Sequence, residues 1–278
     1  MFQEIYYLNH LNEKIDMVSD CYSIADVPFA SHTWDFETED SSGVERIKKK
    51  KKKLQKQSFS MRVANAGLMS HDDAYNKLIN AFETDILAES PGKLYVDNQY
   101  LECYIYEMSA DVIVDGLGSS IHSFKIIGSH PFWIQKLTKQ FYPQTEPYAL
   151  SGLDFETDFP FDFASNDAGT ALWNIDHYAS SHFEMIIYGP CVNPRVLING
   201  YPYQIFTQLE SNDYLILNSR DHTVTKYLAN GTTANIYNSR QFTPSVFEKI
   251  QGGQLTFNWT GDFGFDIVLY VERSEPKW

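Results

Sequence analysis

Few residues of this sequence combine the types and spacings that catalysis or metal binding requires. His177 and His182 lie close together, but no third ligand is spaced to complete a metal site with them. Asp154 and Asp158 are acids that a glycan or cell-wall hydrolase could use. Such enzymes hold two carboxyl groups roughly 5–5.5 Å or 6.5–9.5 Å apart in a cleft, which an acidic loop does not indicate. We therefore expect no catalytic residues, no metal and no cofactor, with a hydrolase as the less favoured alternative.

The serine and cysteine residues lead to the same expectation. Residues 116–120 read Gly-Leu-Gly-Ser-Ser, which differs from the G-x-S-x-G turn that presents a nucleophilic serine between a strand and a helix. Cys21, Cys103 and Cys191 are odd in number and far apart, and no C-x-x-C pair occurs. Such cysteines are typical of free thiols rather than of a disulfide framework or a zinc site.

The overall charge argues against general binding of nucleic acid. The 278 residues carry a formal net charge of -14, and the pI is about 4.9. A protein that wraps nucleic acid needs positive surface to displace counterions. The N-terminal residues lack the basic and apolar regions of a signal peptide, and no window approaches the run of about 18 apolar residues that predicts a membrane span. We expect neither a membrane nor a nucleic-acid partner from composition.

One short region concentrates opposite charges. Residues 35–40 are mostly acidic, Ser41-Ser42-Gly43 can turn, and residues 48–53 are six consecutive lysines. If the chain reverses at the turn, the acidic arm lies opposite the lysines as an antiparallel ribbon, and each opposite-charge pair contributes about 0.2–1 kcal/mol. The same arms could meet across a subunit boundary. The lysines could alternatively form a nuclear signal, a nucleic-acid patch or a solvated loop. The candidate interface charges are Asp35, Glu37, Glu39, Lys48, Lys50 and Lys52.

The rest of the first half predicts strands around one helix. Ser70 is suited to cap a helix, and apolar residues then recur on one face until Pro91-Gly92 ends the pattern. We predict a helix over residues 71–88 that packs on a sheet. Residues 54–63 alternate like a strand, and Asp97-Asn98 is a candidate hairpin turn. These elements predict a β domain with one helix over residues 1–142.

The second half repeats short apolar runs that are closed by turns. Asn199-Gly200 can take the positive φ values of a type I′ hairpin, and Asn230-Gly231 is a second hairpin signal. Turn signals at roughly ten-residue spacing are typical of a β-sandwich or jelly roll. We predict this domain over residues 143–278, with residues 143–170 as an acidic, proline-punctuated connecting segment.

Several motifs, in order along the chain, carry a family resemblance. They are Pro91-Gly92-Lys93-Leu94-Tyr95-Val96, Tyr100-Leu101-Glu102-Cys103-Tyr104-Ile105, Pro131-Phe132-Trp133, Ile187-Tyr188-Gly189-Pro190, Asn193-Pro194, Asn230-Gly231, Phe247-Glu248-Lys249-Ile250 and Glu272-Arg273-Ser274-Glu275-Pro276-Lys277-Trp278. With this order and spacing, the chain resembles a distal tail protein of long-tailed phages (siphophages) or their prophages over nearly its full length.

The resemblance implies a structural protein of two domains, without catalytic residues. In this family an N-terminal β-sandwich with a helix forms a six-membered ring at the end of the tail tube, and a galectin-like C-terminal sandwich faces outward. The implied role is a homohexameric hub of the tail tip or baseplate. It joins the tail tube protein to tail-associated proteins and to receptor-binding or baseplate proteins. The protein would be made in the bacterial host cytoplasm and enter the virion, with DNA only as cargo passing through the ring. The lysine run at residues 48–53 departs from the family pattern.

A ring requires a heterologous contact, in which one surface of a protomer meets a different surface of the next. The candidate contact residues besides the charged arms are Tyr100, Tyr104, Tyr106, Phe132 and Trp133. The remaining alternative is a stand-alone carbohydrate-binding sandwich that stacks a sugar on Trp173 or Trp259. Tryptophan in a sandwich is more often part of the core.

Overall fold

The protein is mainly β, as expected, and divides into two compact units. The computed structural model describes residues 4–24, 29, 31–67, 69–114, 118–144 and 169–277. Unit 1 comprises Met1–Gln135 together with Glu272–Trp278, and unit 2 comprises Lys136–Val271. In the described ranges, no helix has the length and hydropathy to cross a membrane.

Unit 1 contains the charged segments and the helix. Its described elements are β1 Ile5–Leu8, β2 Lys14–Asp16, β3 Tyr22–Ile24, β4 Trp34–Ser41, β5 Val44–Lys52, β6 Lys56–Ala64, α1 His71–Leu87, β7 Gly92–Val96, β8 Gln99–Val114, β9 Ser119–Gly128 and the start of β10 Trp133–Phe141. The strands pair antiparallel in the orders β10-β8-β7-β1-β2 and β8-β9-β6-β3. The long strand β8 belongs to both groups: it pairs with β7 at its start and with β9 from Cys103 onward.

The core of unit 1 lies where both groups of strands and one face of α1 meet. Apolar residues alternate along the strands, so each strand turns one set of side chains inward. Phe59 of β6 lies opposite Phe124 of β9, and their rings stack at 5.0 Å. Phe82 of α1 meets Phe124 edge-on at 6.0 Å. The helix therefore closes the core as predicted from its apolar face.

The predicted helix is confirmed, with an end one residue earlier than expected. The side chain of Ser70 accepts a hydrogen bond from the Asp73 backbone N–H at 3.1 Å, which satisfies one of the unpaired donors of the first turn. The helix ends at Leu87, and β7 starts at Gly92.

A buried carboxylate ties the helix to the first strand. Asp85 accepts hydrogen bonds from the Tyr7 hydroxyl at 2.5 Å and from the His10 backbone N–H at 2.8 Å. The Nδ1 atom of His10 lies 2.6 Å from the same carboxylate. Gly92 packs so closely here that an added Cβ would lie 2.2 Å from the Tyr7 hydroxyl. The close approach thus requires glycine at this position.

Unit 2 is built from two facing sheets. Besides the end of β10, its described elements are β11 Gly169–Ile175, β12 His182–Tyr188, β13 Cys191–Val192, β14 Arg195–Ile198, β15 Tyr201–Gln204, β16 Gln208–Leu209, β17 Tyr214–Asn218, β18 Thr223–Tyr227, β19 Thr233–Asn235, a 3₁₀ helix Tyr237–Ser239, β20 Gly253–Trp259 and β21 Phe265–Arg273. One sheet has the order β19-β18-β17-β12-β21-β10, and the other has the order β11-β20-β14-β15. Strands β13 and β16 form a separate pair.

Inward-facing residues of both sheets form one core in unit 2. The ring of Phe141, at the end of β10, stacks on Phe265 at 4.4 Å. Trp259 is buried, and its Nε1–H donates to the Phe263 carbonyl oxygen at 3.0 Å. Trp173 is half-buried and packs against the same core. These contacts agree with a core role for both tryptophans.

The hairpin turns expected from the sequence are present. Asn199 and Gly200 have φ values of 50° and 81° and join β14 to β15. Gly231, with a φ of 83°, lies in the turn between β18 and β19. Asp97-Asn98 joins β7 to β8.

The division between the units differs from the boundary expected after residue 142. Strand β10 belongs to unit 1 up to Gln135 and to unit 2 thereafter, and β21 returns the chain to unit 1 at Glu272. A proline-punctuated segment indicates where the chain is irregular, whereas packing decides the unit to which a strand belongs. Most of the expected connecting segment lies outside the described residues, and so do Asp154 and Asp158.

Candidate assembly surface

The acidic and basic segments form the antiparallel ribbon that the sequence predicts. Strands β4 and β5 pair with each other around the turn at Ser42 and Gly43, which have φ values of 57° and 77°. Nearly every residue of this hairpin is exposed within the chain. A two-stranded hairpin alone is marginally stable in water. The hairpin is therefore a surface that a further contact would stabilise.

Opposite charges face each other on one side of the hairpin. The cross-strand partners are Asp35 and Lys51, Glu37 and Lys49, and Glu39 and Arg46. Residues directly opposite in an antiparallel pair share a face, so these six charges form one side of the ribbon. Additional ion pairs join Lys48 to Glu39 at 3.2 Å and Lys53 to Asp35 at 3.4 Å. All are exposed, so each contributes little to stability by itself.

The other side of the hairpin carries exposed apolar residues that the sequence analysis missed. We call this side the apolar face; it comprises Trp34, Phe36 and Ile47, together with Lys52 and Lys50, the cross-strand partners of the two aromatic residues. Phe36 is 53% exposed and Ile47 is 64% exposed. The alternation of Trp34 and Phe36 with acidic residues was the available sequence signal. An exposed apolar face of this kind is a candidate contact surface.

Two of the aromatic residues expected at an interface are buried inside their own protomer. Trp133 is completely buried, because it lies in the core of unit 1 with its ring 5.8 Å from Phe29. Tyr100 is buried in β8, between the neighbouring strands β7 and β10. Since neither side chain reaches the surface, both expectations are corrected.

The other aromatic candidates reach the surface. Tyr104 and Phe132 are half-buried, and the Phe132 ring lies 6.3 Å from Trp34 at the base of the hairpin. Tyr106 is 49% exposed. It belongs to a groove of about 310 Å³ between α1 and β8, which we call the helix groove. The residues that line it are Tyr75, Ile79, Phe82, Glu83, Ile86, Ile105, Tyr106, Glu107 and Met108.

One hydrogen-bonded chain in unit 1 resembles a catalytic array but is not built to act as one. The Ser120 hydroxyl lies 2.6 Å from both His71 Nε2 and His122 Nε2, and His71 Nδ1 lies 3.0 Å from Asp72. Ser120 is only 1% exposed. Burial, and in second place the charge of nearby His71, lower the pKa of His122. A nucleophile must reach its substrate, so this chain of contacts is suited to hold the start of α1 against β9.

The two histidines considered for a metal pair have other neighbours. His182 Nδ1 lies 3.3 Å from the Ser219 hydroxyl, and the His177 ring packs on Tyr178 with centroids 4.6 Å apart. Among the residues that the structure describes, no group of three or more His, Cys, Asp or Glu side chains is arranged to hold a metal ion.

The fold is similar to solved structures of phage adsorption proteins. One is the SPP1 Dit (gp 19.1) protein, described as a paradigm of the hub adsorption apparatus in phages that infect Gram-positive bacteria. The likeness covers 98% of this chain and 100% of that chain, with a TM-score of 0.62 and 8% sequence identity. Another is a chain of the phage P2 baseplate in its activated conformation with Ca, which matches over 99% of this chain and 100% of that chain with a TM-score of 0.61 and 12% identity. The same baseplate with Sr gives a TM-score of 0.61 at 12% identity over 98% of this chain and 99% of that chain.

The comparisons by sequence give no match. A scan against protein-family models and a search of curated proteins both find nothing similar to this chain. At 8–12% identity the structural likeness shows a shared fold. The expectation of a mainly β fold with one helix is thereby confirmed.

Proposed function

We propose that this protein is a structural hub of a phage tail tip or baseplate. The observation that carries the proposal is the likeness of 98–99% of the chain, with both units included, to hub and baseplate proteins. In this role the protein is a component of the virion and performs no chemistry. Unit 2 is the galectin-like domain that faces outward towards receptor-binding or baseplate proteins. Unit 1 joins the tail tube and tail-associated proteins.

Unit 1 forms a ring of identical subunits in this proposal, and the number six comes from the family resemblance. A ring needs two unlike surfaces on each protomer. The apolar face of the hairpin is one such surface, and the helix groove is the other. The apolar face combines Phe36 and Ile47 with Lys50, while the groove combines Tyr106 and apolar helix residues with two glutamates. In the contact between two protomers, the apolar residues of the two surfaces pack together, and Lys50 of one protomer lies near the glutamates of the other.

The test is the mass of the purified protein in solution at increasing concentration, followed by electron microscopy. We expect a monomer in equilibrium with a closed ring. A dimer related by a two-fold axis would contradict the proposal, because identical surfaces would then meet. A monomer at every concentration that also fails to bind purified tail tubes would contradict it as well.

Single substitutions test the two surfaces. Phe36→Ser and Tyr106→Ser should each weaken association by about 2 kcal/mol or more, which is about 30-fold in the dissociation constant. Tyr178→Ser is the matched control, because Tyr178 is an exposed aromatic residue of unit 2. A mixture of the two defective variants should form dimers without closed rings, since only one intact contact can form between them. Full assembly of either variant would refute the assignment of its surface.

A further inference from the structure

A basic cavity lies at the base of the hairpin in unit 1. Its volume is about 720 Å³. We call it the lysine pocket, because four of its lining residues are lysines. The lining residues are Ser31, His32, Thr33, Lys51, Lys52, Lys53, Leu54, Gln55, Lys56 and Pro131. A cavity of this size is in the range of small-molecule sites, roughly 300–1,000 Å³. The proposed ring contact uses Phe36 and Ile47 of the apolar face, and Lys52 is the one residue of that face that also lines this cavity.

The positive charge of the lysine pocket exceeds the negative charge beside it. Lys53 is paired with Asp35 at 3.4 Å, and His32 Nδ1 lies 2.5 Å from a carboxylate oxygen of Glu275. Each of these two carboxylates therefore already has a polar partner within the chain. Lys51 lies opposite Asp35 in the ribbon, so Asp35 is the neighbouring carboxylate of both Lys51 and Lys53. The pocket as a whole therefore has a net positive charge.

Lys52 is the residue of the pocket best placed to interact with an anion. Its Nζ atom is buried and has no hydrogen-bond partner among the described residues. The ammonium group lies 5.3 Å from the centroid of the Trp34 ring. Burial lowers the pKa of Lys52, and the charge of Glu275 opposes that shift. A buried ammonium group without a hydrogen-bond acceptor is costly, so an anion that enters the pocket and accepts from Lys52 would lower that cost.

We propose that the lysine pocket binds a phosphate-bearing ligand. Lysine ammonium groups act as compact point charges with three donors each, which suits the several oxygens of a phosphate. The hydroxyl groups of Ser31 and Thr33 and the amide of Gln55 add neutral polar groups to the wall. The phosphate could belong to a free phosphate compound or to the backbone of a nucleic acid.

The experiment is a titration of the full-length protein with tripolyphosphate. Binding is measured by calorimetry and by tryptophan fluorescence, to which Trp34 beside Lys52 contributes. Low salt of about 0.05 M keeps the charges unscreened over roughly 10 Å or more. We expect saturable binding of one tripolyphosphate per chain. Lys52→Met should weaken that binding about tenfold or more, because it removes a charged donor and keeps the apolar stem.

Lys50→Met is the matched control. Lys50 lies on the same side of β5 but does not line the pocket, so its loss removes the same charge from the same lysine run. We expect a smaller loss than for Lys52→Met, about threefold or less, because Lys50 is exposed outside the pocket and donates no hydrogen bond to its ligand. Equal losses in the two variants would overturn the proposal, as would the absence of saturable binding. Thermal unfolding of both variants verifies that they remain folded.

A measurement on the unsubstituted protein gives an independent test. The pKa of the Lys52 ammonium, followed by the NMR shift of its ε-carbon, should rise when tripolyphosphate binds, because the anion favours the charged form. An unchanged pKa would overturn the proposal. Competition by a single-stranded oligodeoxynucleotide would assign the phosphate to a nucleic-acid backbone. Binding of tripolyphosphate without such competition would assign it to a free phosphate compound.

Discussion

Removal of the Asp85 carboxylate should lower the free energy of unfolding more than removal of an exposed carboxylate does. Asp85 is fully buried and accepts from the Tyr7 hydroxyl and the His10 backbone N–H. In Asp85→Ala these donors lose their acceptor inside the protein. We expect the free energy of unfolding to fall by about 3–5 kcal/mol, the usual cost of breaking a buried charged network. Folded domains are stable by about 5–15 kcal/mol, so this loss is a large fraction.

Urea unfolding followed by fluorescence and circular dichroism measures this loss. Glu83→Ala is the matched control, because Glu83 is an exposed acid on the same helix. It should change the free energy of unfolding by no more than about 0.5 kcal/mol. Tyr7→Phe removes one hydrogen bond to a charged acceptor and should cost about 1.5–3 kcal/mol. A double-mutant cycle of Tyr7→Phe with Asp85→Asn should show a coupling of about 0.5–3 kcal/mol.

Two results would refute this reasoning. One is a cost below about 1 kcal/mol for Asp85→Ala, which would mean that water replaces the carboxylate, contrary to the burial of the site. The other is additive behaviour of Tyr7→Phe and Asp85→Asn, which would show that the 2.5 Å contact carries no energy.

Three further predictions concern the unit boundary, pH and the thiols. A fragment of residues 136–271 should unfold cooperatively, whereas a fragment of residues 155–278 should melt at a lower temperature because it lacks β10 and the stacked ring of Phe141; equal melting temperatures would contradict the boundary. Hydrogen bonds from a backbone N–H and from a lysine hold the pKa of Asp213 below its usual value, so its stabilisation is complete above about pH 4 and is lost as the pH falls through the lower folded-state pKa. Acid titration of the Asp213→Asn variant should therefore show a smaller loss of stability than the unsubstituted protein, and identical profiles would refute this. Cys21 should react with a thiol reagent in the folded protein, while the two buried cysteines, whose pKa values burial raises to about 12 and about 11, should react only after denaturation; three fast thiols would contradict their burial.

Local patterns in the sequence were sufficient to predict several elements. The serine that caps α1, the Asn199-Gly200 turn and the reversal between the acidic and basic arms each depend on residues within one or two turns of the chain. Capping and positive φ values are local preferences, which act before distant contacts form. The order of motifs also indicated the fold that the solved hub and baseplate structures share.

The exposure of individual side chains could not be predicted from such local patterns. Tyr100 and Trp133 are aromatic residues in strands, and the sequence could not indicate that Tyr100 is buried or that Trp133 belongs to the core of unit 1. The apolar face of the hairpin was missed for the converse reason, because its aromatic residues look like ordinary strand residues until no neighbouring strand covers them. Burial depends on strands that are distant in sequence, as in the pairing of β10 with β8.

The sequence by itself determined the types of element, their turns and their broad division into two β-rich halves. Only the tertiary structure decided that β10 and β21 cross the boundary between the units, that Asp85 joins α1 to β1, and that Lys52 has a buried ammonium in a basic cavity. The reason is physical: backbone preferences act over a few residues, whereas burial and charge pairing arise between segments that only the folded chain brings together.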